Sequence, residues 1–256
     1  MPHPGEPALM PDRQFAGSFA VLGATGATGT AVAHLLHDRG ADLVLLARDA
    51  DRLRALAEPL GARTAVLSSP TAGPVAAALR EAAGGAPLAG IAHCVGSLLL
   101  KPAHRTSEAE WQDVLDTNLS SAFGVTMAAA ELLPQGGSVV FCSSVAATLG
   151  LANHEAIAAA KAGLIGLARA AAATHARRGI RFHCVAPALV ASRMTESLLG
   201  RPGVAEAAAK QNPSGRVGRA DDVARAIVFL LDPANNWLDG QVLGVDGGFG
   251  SLRPHP

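Results

Sequence analysis

The stretch Val21–Leu36, VLGATGATGTAVAHLL, carries Gly23, Gly26 and Gly29 in a G-x-x-G-x-x-G spacing between a short apolar run and an alanine-rich segment. Where a strand turns into a helix, glycine permits a tight bend, close backbone approach to a pyrophosphate, and tight packing of helix on strand. The helix N-terminus adds aligned N–H groups and partial positive charge for the phosphates. The stretch therefore reads as a dinucleotide-binding turn, with Gly23, Thr25, Gly26, Thr28 and Gly29 as the residues nearest the nucleotide.

The rest of the chain repeats the same rhythm. Short apolar runs at 18–23, 41–47, 64–67, 90–96, 138–144, 180–187 and 241–245 read as seven buried strands. Longer helical patterns lie between them, among them 29–39, 50–58, 107–133 and 153–178. Continuous apolar runs, as opposed to alternation, indicate a parallel sheet covered on both faces. The expected fold is α/β: a single-domain, Rossmann-type, doubly wound sheet of about seven parallel strands. Residues 1–17 are read as a flexible N-terminal tail and 18–256 as one nucleotide-binding domain. Within it, 188–219, rich in Gly, Pro, Ser and Arg, is read as a flap over the ligand crevice.

Composition narrows the partners. The 256 residues are 49% hydrophobic and 16% charged, with 21 basic and 21 acidic side chains that cancel. Nothing there favours nucleic acid or a membrane surface, which usually demand a basic excess. No apolar run is read as approaching the ~20 residues needed to cross a bilayer, so no membrane partner and a cytoplasmic location are expected. Cys94, Cys142 and Cys184 lie about forty residues apart in apolar runs and read as buried small hydrophobes, with no metal site.

The end of the second strand bears on the choice of dinucleotide. Ala47 is followed by Arg48, where an NAD-preferring site usually places a carboxylate on the ribose 2′-hydroxyl. A guanidinium binds a 2′-phosphate in a bidentate manner, so NADP(H) is favoured over NAD(H). Asp49 is read as the cap of the next helix.

From Ser18 to Gly250 the chain resembles the short-chain dehydrogenase/reductase family. The resemblance rests on the glycine turn, DTNLSSAF (116–123), VVFCSS (139–144), AAAKAGLIGLARA (158–170), IRFHCVAPALVASRM (180–194), GRVGRADDVARAIVFLL (215–231) and GQVLGVDGG (240–248). It implies that Asn118 holds a relay water, Ser144 bonds the substrate oxygen and Lys161 binds the nicotinamide ribose. It also implies that Val95, Gly96, Pro187, Leu189 and Ser192 lie near the nicotinamide. A homotetramer, with a dimer second, follows from the family's use of two long helices, here 107–133 and 153–178, both rich in small residues.

Three departures stand out. His93-Cys94-Val95-Gly96 replaces the family's Asn-Asn-Ala-Gly, and Ser68 replaces the acidic residue near the adenine. Ile157 occupies the tyrosine position four residues before Lys161, and the protein has no tyrosine at all. At 100° per residue, His154, seven residues before Lys161, is expected on the same helical stripe. The enoyl-thioester reductase branch of the family places its tyrosine at that offset. Imidazole suits general acid catalysis near neutral pH. The candidate catalytic set is therefore Asn118, Ser144, His154 and Lys161.

Other singled-out groups have simpler readings. His93 is expected to be a satisfied residue behind the site, and Trp111 core or interface. His34, His37 and His175 are expected to be solvated. Arg216 and Arg219 are expected to brace the flap or the subunit contact, and Glu155 to favour a helix start. The function expected is an NADP(H)-dependent oxidoreductase acting on a small carbonyl or alcohol. A reductase of a C=C bond conjugated to a carbonyl is the rival, and an inactive NADP(H)-binding sensor or scaffold is the alternative of another class.

Overall fold

A computed structural model describes residues 15–253. Its centre is a seven-stranded sheet, every neighbouring pair parallel, in the order β3-β2-β1-β4-β5-β6-β7. The strands are β1 (Ser18–Leu22), β2 (Asp42–Ala47), β3 (Arg63–Val66), β4 (Leu88–His93), β5 (Gly137–Cys142), β6 (Ile180–Pro187) and β7 (Val242–Val245). The order reverses between β1 and β4, which opens a crevice at their carboxyl ends.

Helices α1 (Ala27–His37), α2 (Ala50–Leu60) and α9 (Ala220–Leu231) cover one face of the sheet. Helices α3 (Ala72–Ala83), α5 (Ser121–Leu132) and α6 (Glu155–His175) cover the other, with α4 (Glu108–Leu115) beside α6. The flap holds α7 (Glu196–Leu199) and α8 (Val204–Gln211). The doubly wound fold expected from the sequence is present.

Strand character depends on place in the sheet. The runs of β1, β4, β5 and β6 are almost wholly buried, as continuous apolar strands should be between two helical layers. The edge strands β3 and β7 are largely exposed or half-buried, which corrects the expectation of seven buried strands.

The predicted tail ends sooner than residue 17. Residues 1–14 lie outside the described residues, but Phe15 is buried, meets Phe19 edge-on at 5.3 Å, and donates its N–H to the Arg39 carbonyl at 2.8 Å. Asp49 caps α2 as expected, accepting from the Arg52 N–H at 3.1 Å. His34 and His37 are exposed. His175 is not solvated as expected: its Nδ1 is enclosed without a partner and its ring lies 5.8 Å from that of Phe182.

Two predicted helices change form. The continuous pattern 107–133 is broken at Asp116–Ser120 by a π turn between α4 and α5. The second helix starts at Glu155, because Asn153 holds a left-handed φ of 62° and His154 is the residue before the first turn. With its last turn, this segment, Glu155–Arg178, has 24 residues, and its most apolar 18-residue window has a mean hydropathy of 1.4. By length and composition it could cross a membrane, contrary to the reading that no run is long enough. Half of its most apolar window is buried inside the protein, and it packs on β6, the place of a core helix.

Candidate active site

The glycine turn has the geometry its spacing implies. Gly23 has φ 74°, and a Cβ there would stand 2.7 Å from the Cys94 carbonyl carbon. A Cβ on Gly29 would strike the Gly23 carbonyl, and Gly26 leads into α1 with its N–H on the Gly23 carbonyl at 3.0 Å. The turn thus presents bare backbone at the head of α1, a cradle that side chains would fill. Thr25 and Thr28 are half-buried in it, and the Thr25 carbonyl accepts from the Arg52 guanidinium.

At the end of β2, Arg48 is exposed and has no hydrogen bond or ion pair among the described residues. Ser68 is exposed beyond β3. The residues present fit a dinucleotide: a glycine cradle for the pyrophosphate and a free cation where a 2′-phosphate would lie.

Lys161 and Asn118 come together under the loop after β4. A Cβ on Gly96 would lie 3.1 Å from Asn118 Oδ1 and 3.3 Å from Lys161 Nζ. Asn118 sits in the π turn, a device that often marks functional helices. Its local cause is a polar run: Gln112 and Ser120 both donate to Asp116 Oδ1, and Ser121 Oγ donates to the Thr117 carbonyl. Lys161 projects from α6, is 7% exposed, and donates from Nζ to the Cys142 carbonyl at 2.7 Å. Burial pulls its pKa below the usual lysine value.

Around Lys161 the other titratable groups are neutral. Burial raises the thiol pKa of Cys94 and Cys142, and pushes Cys184 up to about 12. All three cysteines are free; Cys184 is buried and the other two half-buried. His93, at the end of β4, is brought down to about 3 by burial and then by the Lys161 charge. Its Nε2 lies 2.9 Å from Ser121 Oγ. Because that hydroxyl already donates to Thr117, Nε2 carries the hydrogen, and Nδ1 is an acceptor with no partner. His93 is therefore only half satisfied.

Ser144, half-buried just beyond the end of β5, accepts at Oγ from the Ala146 N–H at 3.1 Å, and among the described residues its hydroxyl hydrogen has no acceptor. Ser143 behind it donates to the Lys161 carbonyl at 2.8 Å and ties β5 to α6. Val95 packs half-buried against the core. Pro187 ends β6, and Leu189 lines a cleft of about 420 Å³ with Arg216, Asp222, Arg225 and Asp246. Ser192 is tied to Thr195, with its N–H and Oγ each 3.1 Å from Thr195 Oγ1. Arg216 braces the flap as expected through two bonds to Asp222, at 2.6 and 3.0 Å, and Arg219 donates its N–H to the same carboxylate.

At the acid position, Ile157 is buried in an apolar cluster with Val114, Ala156 and Ala160, against Leu99, Leu115 and Leu119. His154 is the N-cap of α6, its carbonyl accepting the first helical bond from the Ala158 N–H at 2.7 Å. Its Nδ1 faces the Ala152 carbonyl at 2.8 Å, which makes that nitrogen the donor and leaves Nε2 open. Glu155 makes no bond to it among the described residues. Trp111 is partly exposed and lines a second pocket of about 330 Å³ with Ser107, Glu108 and Glu155.

Sequence reasoning missed Ser97 and Thr195. Ser97 donates its N–H to Asn118 Oδ1 at 3.1 Å and accepts from Asn118 Nδ2 at 2.9 Å. Its position directly after Gly96 was the available signal.

Comparisons with known proteins show the family. The family model described as enoyl-(acyl carrier protein) reductase matches residues 23–250. Galactitol 2-dehydrogenase (L-tagatose-forming) of Cereibacter sphaeroides is 33% identical over 90% of this chain and 93% of its own. The 3-oxoacyl-(acyl-carrier-protein) reductase of Escherichia coli (strain K12) is 33% identical over 91% and 98%. A short-chain type dehydrogenase/reductase from Mycobacterium ulcerans superimposes with a TM-score of 0.88 at 25% identity, covering 94% of this chain and 92% of that one. The chain is an oxidoreductase of the short-chain dehydrogenase/reductase family.

Proposed function

We propose that the protein is an NADP(H)-dependent oxidoreductase of a small carbonyl or alcohol, with His154 in the place of the family's phenolic acid. The observation that carries this reading is the convergence of buried Lys161 and Asn118 beside Gly96. NADP(H) is preferred because Arg48, exposed at the end of β2, has no partner among the described residues and is positioned to meet a 2′-phosphate. A solved NAD(P)-dependent gluconate 5-dehydrogenase candidate from Beutenbergia cavernae, 27% identical with a TM-score of 0.89, holds NADP and supports the choice.

The bound cofactor supplies hydride. This chain's own residues bind and orient. The glycine turn and α1 hold the pyrophosphate, Lys161 the ribose, and Ser144 the substrate oxygen. The Ala152 carbonyl keeps a hydrogen on Nδ1 of His154, so Nε2 accepts a proton in the neutral ring and donates one in the imidazolium. One atom thereby serves both oxidation and reduction. The protein is proposed to assemble as a homotetramer through α5 and α6. Phe123 and Met127 are half exposed on α5, and Gly166 faces open space on α6. Size-exclusion chromatography with light scattering tests this.

A second reading is favoured by one observation: the buried Ile157 cluster puts hydrocarbon where the family has its acid. That suits a nucleotide-binding sensor. Incubation with NADPH, ketones and conjugated enones, following absorbance loss, separates the readings. Turnover that falls about a hundredfold in His154→Ala and persists in Ile157→Ala supports the histidine. Equal activity in the two variants overturns its role. Turnover of enones alone transfers the proposal to C=C reduction, and tight NADPH binding without turnover transfers it to the sensor.

A further inference from the structure

We propose that Ser97 is a positioning residue that, through Asn118, sets the place and hydration of Lys161. The proposal deepens the reading of this site as catalytic.

The Asn118 carboxamide is fully buried, and both of its N–H hydrogens are used locally. Oδ1 accepts from the Ser97 N–H; Nδ2 donates one hydrogen to Ser97 Oγ and the other to the Val114 carbonyl at 2.9 Å. Ser97 therefore takes both ends of the amide and fixes which way it faces. A Cβ on the residue before it, Gly96, would lie 3.1 Å from Asn118 Oδ1 and 3.3 Å from Lys161 Nζ, a tight approach to both. Clamping Ser97 thus holds the Gly96 backbone beside the ammonium group, as its cover.

The groups that face Lys161 are the thiols of Cys94, Cys142 and Cys184, at or near the ends of β4, β5 and β6, and the imidazole of His93. Burial keeps all four uncharged. No carboxylate is among them, so the state of Lys161 depends on how dry the cover keeps it. Removing Ser97 Oγ orphans a buried Asn118 N–H, a cost that only water can relieve. Water drawn in for that purpose also reaches Lys161.

The test needs no cofactor or turnover. Lys161 is titrated in the apo protein by NMR of its ¹³Cε, in the wild type and in Ser97→Ala, Ser97→Thr and Asn118→Ala. The wild-type midpoint should lie below the ordinary lysine value. In Ser97→Ala it should rise by about one pH unit; Ser97→Thr, which keeps the oxygen, should restore it. Asn118→Ala should produce the same rise, and the double variant no more than either single one. In turnover assays kcat should fall about tenfold to a hundredfold with little change in KM. A Ser97→Ala protein that melts earlier but keeps the wild-type midpoint overturns the proposal. Should Ser97→Ala fail to fold, Ser97→Cys, with a weaker acceptor of similar size, is judged by the same midpoint. Absence of turnover in every protein would defeat the catalytic reading and leave the midpoints to decide the role of Ser97.

Discussion

The glycine turn and the start of α6 serve the same end of the sheet, yet they are built by different means. In the turn, backbone sterics decide everything: Gly23 and Gly29 have no room for a side chain, and Gly23 needs a left-handed φ. At the start of α6, side-chain direction decides. One left-handed residue, Asn153, stands just before the helix, and His154 is its N-cap. A site made of backbone tolerates few sequences, whereas a site made of side chains can exchange one group for another. That difference explains how this chain keeps an ordinary glycine turn while Ile157 stands four residues before Lys161.

The sharpest way to break the comparison is Gly23→Ala. The new Cβ meets the Cys94 carbonyl carbon at 2.7 Å, and the backbone cannot relax to negative φ without opening the turn. A loss of about 3 kcal/mol in stability is expected, with NADPH binding weakened more than tenfold. Thermal melting and fluorescence titration measure both. A variant that binds NADPH normally would show that the turn is not a backbone site.

Next in size is Arg48→Glu. Replacing a free guanidinium by a carboxylate should cost about 2 kcal/mol of NADPH affinity, roughly thirtyfold, and leave NADH unaffected or improved. Equal losses for the two cofactors would remove Arg48 from the 2′-phosphate site.

How much of this was legible follows the same division. The strand runs, the sheet class and the glycine cradle could be read because burial and sterics leave a mark on residue type. The π turn left none in the apolar period, since 107–133 reads as one helix; only the polar run Asp116–Ser121 hints at it. Phe15 was assigned to the tail because one aromatic among prolines carries no periodicity. The clamp of Asn118 on Ser97 joins residues 21 positions apart, and neither side chain discloses the other.

Buried histidines mark a third contrast, between groups that the core satisfies and groups it does not. His183, inside β6, is fully buried with neither ring nitrogen partnered, and burial lowers its pKa to about 4; His93 falls to about 3. Both folded values lie below the unfolded 6.5, so the unfolded chain binds more protons once the pH drops beneath 6.5. Stability should be flat above that point and fall towards pH 4, by about 2 kcal/mol per histidine at pH 5. His183→Met should remove its share of the acid sensitivity, as denaturant midpoints at pH 7 and pH 5 would register. An unchanged difference between the two pH values would mean that His183 protonates freely in the fold.

The smallest effect returns to the cofactor end. Asp49 is a carboxylate one residue past Arg48, close enough in sequence to be taken for a ribose ligand. It accepts instead from the Arg52 N–H and caps α2. Arg52 in turn donates to the Thr25 carbonyl of the glycine turn. Asp49→Ala should therefore cost about 1 kcal/mol, a few degrees in Tm, by freeing the first turn of α2. Affinity for NADPH should change little, because the cap acts on the helix and Arg52 has its own hold on the turn. If NADH affinity dropped while Tm stayed constant, Asp49 would be a ribose ligand and the preference argued from Arg48 would reverse. If both cofactors weakened with Tm, α2 would be shown to carry the turn through Arg52, and the cradle would rest on side chains as well as on backbone.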